Sequence, residues 1–191
     1  MSIHLHNLSK SYDQLSVFQD LTMEFEEPQI YCLMGASGSG KTTLFRILLG
    51  LEEADSGTIS GRNGRRMAAV FQENRLCETY SPLANVLLVT DPSYTETMVR
   101  AELCRLLPEE SITRPVSTLS GGMKRRTAIC RALLAPSDII LMDEPFTGLD
   151  EQTKQQVMTY IQEKSAGKLL LISTHQEEDI ALLGGILCLI S

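Results

Sequence analysis

The sequence predicts an α/β fold: a mainly parallel sheet, an antiparallel β part at the N-terminus and a helical subdomain inserted at about residues 73–134. Three observations predict it. Short apolar runs at residues 30–34, 139–142 and 168–173 alternate with helical segments, as strands buried on both faces of a parallel sheet do. The first 25 residues instead alternate polar and apolar side chains, the pattern of half-buried strands. Between residues 82 and 134 the apolar residues recur at helical spacing. At 191 residues and 43% hydrophobic, the chain fits one domain, residues 1–191, with a substantial core.

Taken in order, Ile3 and Leu5 alternate with His4 and His6, which puts both histidines on the solvated face of a first strand, with no third ligand nearby for a metal. Residues 9–13 read as a polar turn carrying Tyr12. Val17, Leu21, Met23 and Phe25 mark a second strand before Pro28. Residues 30–34 form a buried strand, followed by a glycine-rich turn and a helix over 42–49. Asp55-Ser56-Gly57 turns into a strand at 58–60, and 67–71 is the next apolar strand. Leu83, Val86 and Leu87 lie on one helix and Met98, Leu103, Leu106 and Leu107 on another, separated by Asp91-Pro92. Pro115 interrupts before Leu119, and 123–134 is a basic and apolar helix. The strand at 139–142 ends in Asp143-Glu144. Residues 150–164 form a helix with Asp150 as a plausible cap, and the strand at 168–173 ends in Thr174-His175. A short acidic helix and a strand at 186–190 complete the pattern.

Composition narrows the function. A formal charge of −7, from 17 Lys+Arg against 24 Asp+Glu, leaves no global positive excess for a nucleic-acid backbone, so no direct nucleic-acid partner is expected. Five scattered cysteines without a C-x-x-C pair read as buried or partly buried thiols of a reducing compartment. The N-terminus lacks the apolar centre of a signal peptide, and the longest apolar run, 180–190, is interrupted by Gly184 and Gly185. The expectation is a cytoplasmic protein that docks on something in a membrane.

The chemistry begins at Gly35-Ala36-Ser37-Gly38-Ser39-Gly40-Lys41-Thr42, with Thr43 after it. The segment fits G-x-x-x-x-G-K-[ST] between a strand and a helix, which identifies a phosphate-binding loop. Its glycines let successive N–H groups turn toward an anion, and the helix adds its positive end. Lys41 supplies a charge for the β and γ phosphates, and Thr42 a hydroxyl for Mg²⁺. Asp143, ending an apolar strand, can share that ion with Thr42. Glu144 stands where a carboxylate could orient, or take a proton from, a water attacking the γ phosphate. Ser120, Gly121 and Gly122 place small residues and free N–H groups at a helix start, a second anion site.

The ordered set of the phosphate loop, Gln72, Leu119-Ser120-Gly121-Gly122, Asp143-Glu144, Leu149-Asp150 and His175 resembles the ATP-binding cassette (ABC) ATPases, over nearly the whole chain. The resemblance implies a P-loop NTPase core with ATP and Mg²⁺ as ligands. It also implies a head-to-tail dimer, with another copy or a paralogous cassette, in which residues 119–122, the family's signature, close over the other chain's phosphate loop. Gln72 would reach Mg²⁺ and the attacking water, and His175 would contact the γ phosphate beside Glu144. Asp150 would lie in the loop meeting the opposite subunit, with the helix cap as a second reading. Tyr12 would stack on adenine.

The implied function is the ATP-hydrolysing subunit of an ABC transporter, peripheral on the cytoplasmic face through membrane-spanning partner subunits. Residues 74–85, with Leu76, Tyr80 and Leu83, would be the docking surface. A soluble ABC ATPase acting on DNA or ribosomes is the alternative, although no coiled coil, zinc insertion or tandem cassette is visible. A small-molecule kinase fits Glu144 and the signature poorly, and an inactive module fits Glu144 and His175 poorly. The sequence departs from the family at Met123, where glutamine is usual, and at Gly148. It stops soon after His175, where many importer cassettes continue, so regulation by a C-terminal extension is not expected.

Overall fold

The computed structural model describes residues 2–13 and 15–190. β1 (Ser2–Tyr12) pairs antiparallel with β2 (Leu15–Glu26) on one side and β4 (Ser56–Ser60) on the other. Ile3, Leu5, Leu8, Phe18 and Phe25 point into the core, while His4 and His6 are exposed. The polar turn expected over residues 9–13 is instead the end of β1: Ser11 pairs with Ser16 and Tyr12 with Leu15. Side chains at this tip are largely wet, so the backbone ladder holds a strand that polarity alone hides. Register shifts after Leu5, Leu8 and Lys10 bend the ribbon there.

The second sheet is wholly parallel. Its strands are β3 (Ile30–Met34), β5 (Met67–Val70), β6 (Ile139–Asp143), β7 (Leu169–Ser173) and β8 (Ile186–Leu189), in the order β5-β6-β7-β3-β8. Successive side chains of a strand face opposite ways, and both ways are buried in β6 and β7, whereas β8 at the sheet edge is largely exposed. Ile139, Leu141, Leu169 and Leu171 join a core with the antiparallel ribbon and with Leu44, Phe45, Ile47 and Leu48 of α1 (Lys41–Leu48). Ile140, Met142, Leu170 and Ile172 join a second core beneath α2 (Pro82–Leu87), α3 (Glu96–Cys104), α4 (Gly121–Leu134) and α5 (Glu151–Lys164). Each such side chain contributes about 1.5–3 kcal/mol by leaving water, so the sheet is a rigid plate whose C-terminal edge carries the polar residues.

The inserted helices begin with side-chain caps: Ser81 Oγ accepts the Ala84 amide at 3.2 Å and Thr95 Oγ1 that of Met98 at 3.3 Å. α3 stops at Cys104, and Leu106 and Leu107 are buried in the turn beyond it. Leu83, expected on a docking surface, is buried; the exposed large apolar residues between 80 and 98 are Tyr80, Leu88, Val89 and Met98. α4 closes the insert and also packs on β5 and α5. Two of the five thiols depart from expectation, because Cys77 in a loop and Cys104 at the end of α3 are exposed. Burial pushes the Cys130 thiol up to about 12 and Cys32 to about 11. No helix among the described residues is long and apolar enough to cross a membrane.

Candidate functional site

The loop between β3 and α1 depends on two left-handed glycines and one close approach. Gly38 and Gly40 have φ of 85° and 91°, in the left-handed region that favours glycine. A Cβ on Gly40 would stand 2.5 Å from Val17 and 2.9 Å from Phe18, so β2 forms the wall against which the loop folds. Lys41, 6% exposed, donates to the carbonyls of Gly35 at 2.8 Å and Ala36 at 3.0 Å, drawing the loop around its own ammonium.

At the ends of β6 and β7 the side chains form a chain of hydrogen bonds. Thr42 donates to Asp143 Oδ2 at 2.6 Å, and Ser173 donates to Asp143 Oδ1 at 2.6 Å. The Ser173 hydroxyl in turn accepts the Glu144 amide at 2.9 Å. Glu144 has φ of 47°, a conformation that costs a non-glycine residue of order 1–3 kcal/mol. Its carboxylate lies 2.7 Å from His175 Nε2, with the Thr147 hydroxyl 3.4 Å from the other oxygen. In the sequence Ser173 carries only one signal, a serine closing the strand that precedes Thr174-His175.

One cleft of about 270 Å³ is lined by Tyr12, Ser37, Gly38, Gly40, Lys41, Thr42, Thr43, Gln72, Glu144 and His175, together with Leu15 and Val17. Residues separated by more than 160 positions thus meet at one sheet edge. Asp143 lies beneath it, 2% exposed, and Gly35, Ala36 and Ser39 shape the base of the loop. Tyr12 is 43% exposed. Its hydroxyl donates to the Glu52 carboxylate, which raises the phenol pKa, and the Lys10 ammonium lies 5.2 Å from its ring centroid. An adjoining cleft of about 380 Å³ shares Glu144 and His175 and extends over Leu149 and Lys154.

Ser120, Gly121, Gly122 and Asp150 line neither cleft, although Gly148, Leu149 and Glu151, beside Asp150, line the larger one. Ser120 caps α4, accepting the Met123 amide at 3.3 Å. Gly122 faces the neighbouring loop closely enough that a Cβ on it would be 3.4 Å from Leu149. Asp150 caps α5, and the Thr153 amide and hydroxyl hold its carboxyl below the usual range, helped by the Arg126 charge.

The donor set suits a hard divalent cation. Asp143 and Thr42 offer oxygens at one point, Gln72 lines the same cleft, and no cluster of three His, Cys, Asp or Glu able to hold a metal by itself occurs among the described residues. Such a site fits Mg²⁺ carried in with phosphate oxygens.

Comparison with known proteins agrees with this geometry. The family described as ABC transporter matches residues 18–147, well over half of the chain. The sulfate/thiosulfate import ATP-binding protein CysA of Vibrio cholerae is 34% identical over 94% of this chain, and the chain spans 53% of that relative's length. The aliphatic sulfonates import ATP-binding protein SsuB of Delftia acidovorans is 34% identical over 98% of the chain and 79% of its own. The Nod factor export ATP-binding protein I of Burkholderia orbicola is 34% identical over 98% and 67%. Among solved structures, the dimeric ATP-binding cassette MJ0796, in a post-hydrolysis state with ADP and Pi, superposes with a TM-score of 0.86 over 99% of this chain and 94% of its own, at 24% identity, a likeness of fold. A phosphate loop facing paired acids at the edge of a parallel sheet, within a sequence match of this extent, places the chain in the ABC transporter family.

Proposed function

We propose that this chain is the ATP-binding and ATP-hydrolysing subunit of an ABC transporter, coupling ATP-driven closure of a dimer to substrate movement across a membrane. The observation that carries the reading is the meeting of Lys41, Thr42, Gln72, Glu144 and His175 in one cleft, with Glu144 and His175 at 2.7 Å. The reaction is attack of a water oxygen on the γ phosphorus as the bond to the β–γ bridging oxygen breaks, giving ADP, phosphate and a proton. Glu144 orients the water and takes up its proton, and His175 fixes one oxygen of that carboxylate. Lys41, on its flexible stem, neutralises phosphate charge, and the loop amides after Gly35 hold the phosphates. Thr42, Asp143 and Gln72 are the residues that would hold Mg²⁺. Held there, the ion would supply positive charge against that developing on the phosphate oxygens. Tyr12 offers its exposed ring to the adenine.

The signature residues Ser120, Gly121 and Gly122 stand apart from the cleft of their own chain, which supports a site shared between two cassettes. Tyr80, within residues 74–85, and Leu88, Val89 and Met98 after them are the exposed apolar side chains offered to a membrane-spanning partner on the cytoplasmic side. Relatives of equal identity are named for import and for export, so direction is assigned to that partner.

Glu144→Gln keeps the side-chain size and removes the base. Turnover of ATP by purified protein is expected to fall by about 10²–10⁴, while light scattering with ATP shows the mass doubling. Wild-type turnover in this variant, or a monomer at every concentration, sinks the reading.

A further inference from the structure

The backbone that carries Gln72 is tied to a single helix. Arg125, in the second turn of α4 and 7% exposed, donates Nη1 to the Phe71 carbonyl at 2.5 Å and Nη2 to the Gln72 carbonyl. Arg131 donates to the carbonyls of Arg75 at 2.9 Å and Asn74 at 3.4 Å. Lys124 pairs with Glu78 at 2.8 Å, and the Arg75 guanidinium lies 3.6 Å from the Phe71 ring centroid. Three side chains of one helix therefore hold five residues of the segment after β5.

Arg125 is unusual among these. Among the described residues no carboxylate pairs with it directly, although a buried guanidinium ordinarily needs one. Burial lowers its pKa, and the charges of Asp143 and Glu144 act in the opposite sense. Its planar fork spans two successive carbonyls, which fixes their direction as well as their distance. The same helix begins at Gly121, with Ser120 as its cap. Arg125 lies three residues beyond Gly122, about 4.5 Å along a stiff axis, so a push on the helix start moves the Gln72 carbonyl with it.

We infer that Arg125 is a positioning residue that locks Gln72 to the start of α4, making each hydrolytic cleft responsive to whatever presses on that same chain's Ser120, Gly121 and Gly122. The inference rests on the ATPase reading above and deepens it. A cassette closing over one chain's signature would thereby set Gln72 in that chain's own site.

The experiment compares wild type, Arg125→Gln and Arg125→Lys as full chains. Amide hydrogen exchange without nucleotide is expected to speed up about tenfold at residues 72–77 in Arg125→Gln, with β6 and β7 unchanged. Its kcat is expected to fall roughly tenfold to a hundredfold, while affinity for a fluorescent ATP analogue stays within about threefold. Arg125→Lys, with its cation but no fork, is expected to fall between wild type and Arg125→Gln on both scales. It carries the comparison alone if the glutamine variant precipitates. Wild-type exchange at 72–77, or acceleration spread equally over β6 and β7, overturns the inference. So does a lysine variant no better than the glutamine one. Failure of the ATPase reading shows elsewhere, as a wild type whose turnover Glu144→Gln leaves intact, while nucleotide-free exchange still decides the lock.

Discussion

Ser173 joins two acids that would otherwise be independent. Fully buried, it donates to Asp143 Oδ1 and accepts the Glu144 amide, so one hydroxyl satisfies a carboxylate and a backbone donor together. Ser173→Ala leaves Asp143 Oδ1 and the Glu144 amide without this partner in a dry place, with Thr42 still on Asp143 Oδ2. Hydrogen bonds to charged groups are worth about 1.5–3 kcal/mol, and an orphaned donor adds its own desolvation penalty. Urea denaturation should therefore show a loss of about 2–4 kcal/mol, and turnover should fall with it, because the left-handed backbone at Glu144 loses one of its restraints. Unchanged stability would mean that a water replaces the hydroxyl. At this scale the sequence was uneven. Lys41 and Thr42 were legible from the phosphate-loop motif, Asp143 and Glu144 from the end of an apolar strand, and His175 from the family resemblance. Ser173 and Arg125 were not, because their partners lie 29–30 and 53–54 positions away, and only the fold makes them neighbours.

Elements were legible where both faces of a strand or one stripe of a helix is apolar. β6 and β7 could be read directly for that reason, and so could the cap of α5 at Asp150. The far end of β1 could not, because a wet hairpin tip has no side-chain period to read. The link between the end of α3 and α5 was equally silent, since it runs through charged side chains. Arg105, just past α3, grips Glu163 of α5 with two bonds of 2.9 and 2.5 Å, and Lys164 reaches Glu102 at 2.6 Å. The Arg105 hydrogen bonds hold the Glu163 carboxyl at about 2, against an ordinary 4.5. A carboxyl depressed in the folded state stabilises above its unfolded pKa, and that contribution is lost as pH falls from about 4.5 through about 2. Glu163 is half exposed, with a side-chain exposure of 52%, so solvent and salt weaken the effect. Urea midpoints should show Glu163→Gln below wild type at neutral pH, with the gap closing toward pH 2. A constant gap would assign the loss to packing.

At the scale of the whole molecule, each chain presents a phosphate loop in one cleft and a second set of helix-start amides at Ser120, Gly121 and Gly122 outside it. Two copies related by a two-fold axis would each complete the other's site. The arrangement can be tested by breaking opposite halves in different chains. Lys41→Ala removes the phosphate cation and leaves the signature. Gly121→Asp does the reverse: a Cβ there meets nothing within 4 Å and Gly121 lacks a left-handed backbone, so the fold tolerates it, while the new carboxylate repels a partner's phosphates. Each variant alone should be nearly inactive. In an equal mixture, half the dimers are mixed and each holds one site with an intact loop and an intact signature, so up to about a quarter of wild-type turnover should return, and less to the extent that Gln72 of the Gly121→Asp chain depends on its own signature being pressed. A site completed within one chain predicts a different pattern, because Gly121→Asp would then hydrolyse ATP unaided and mixing would add nothing. Turnover that stays at the average of the two separate variants would sink the shared site between copies.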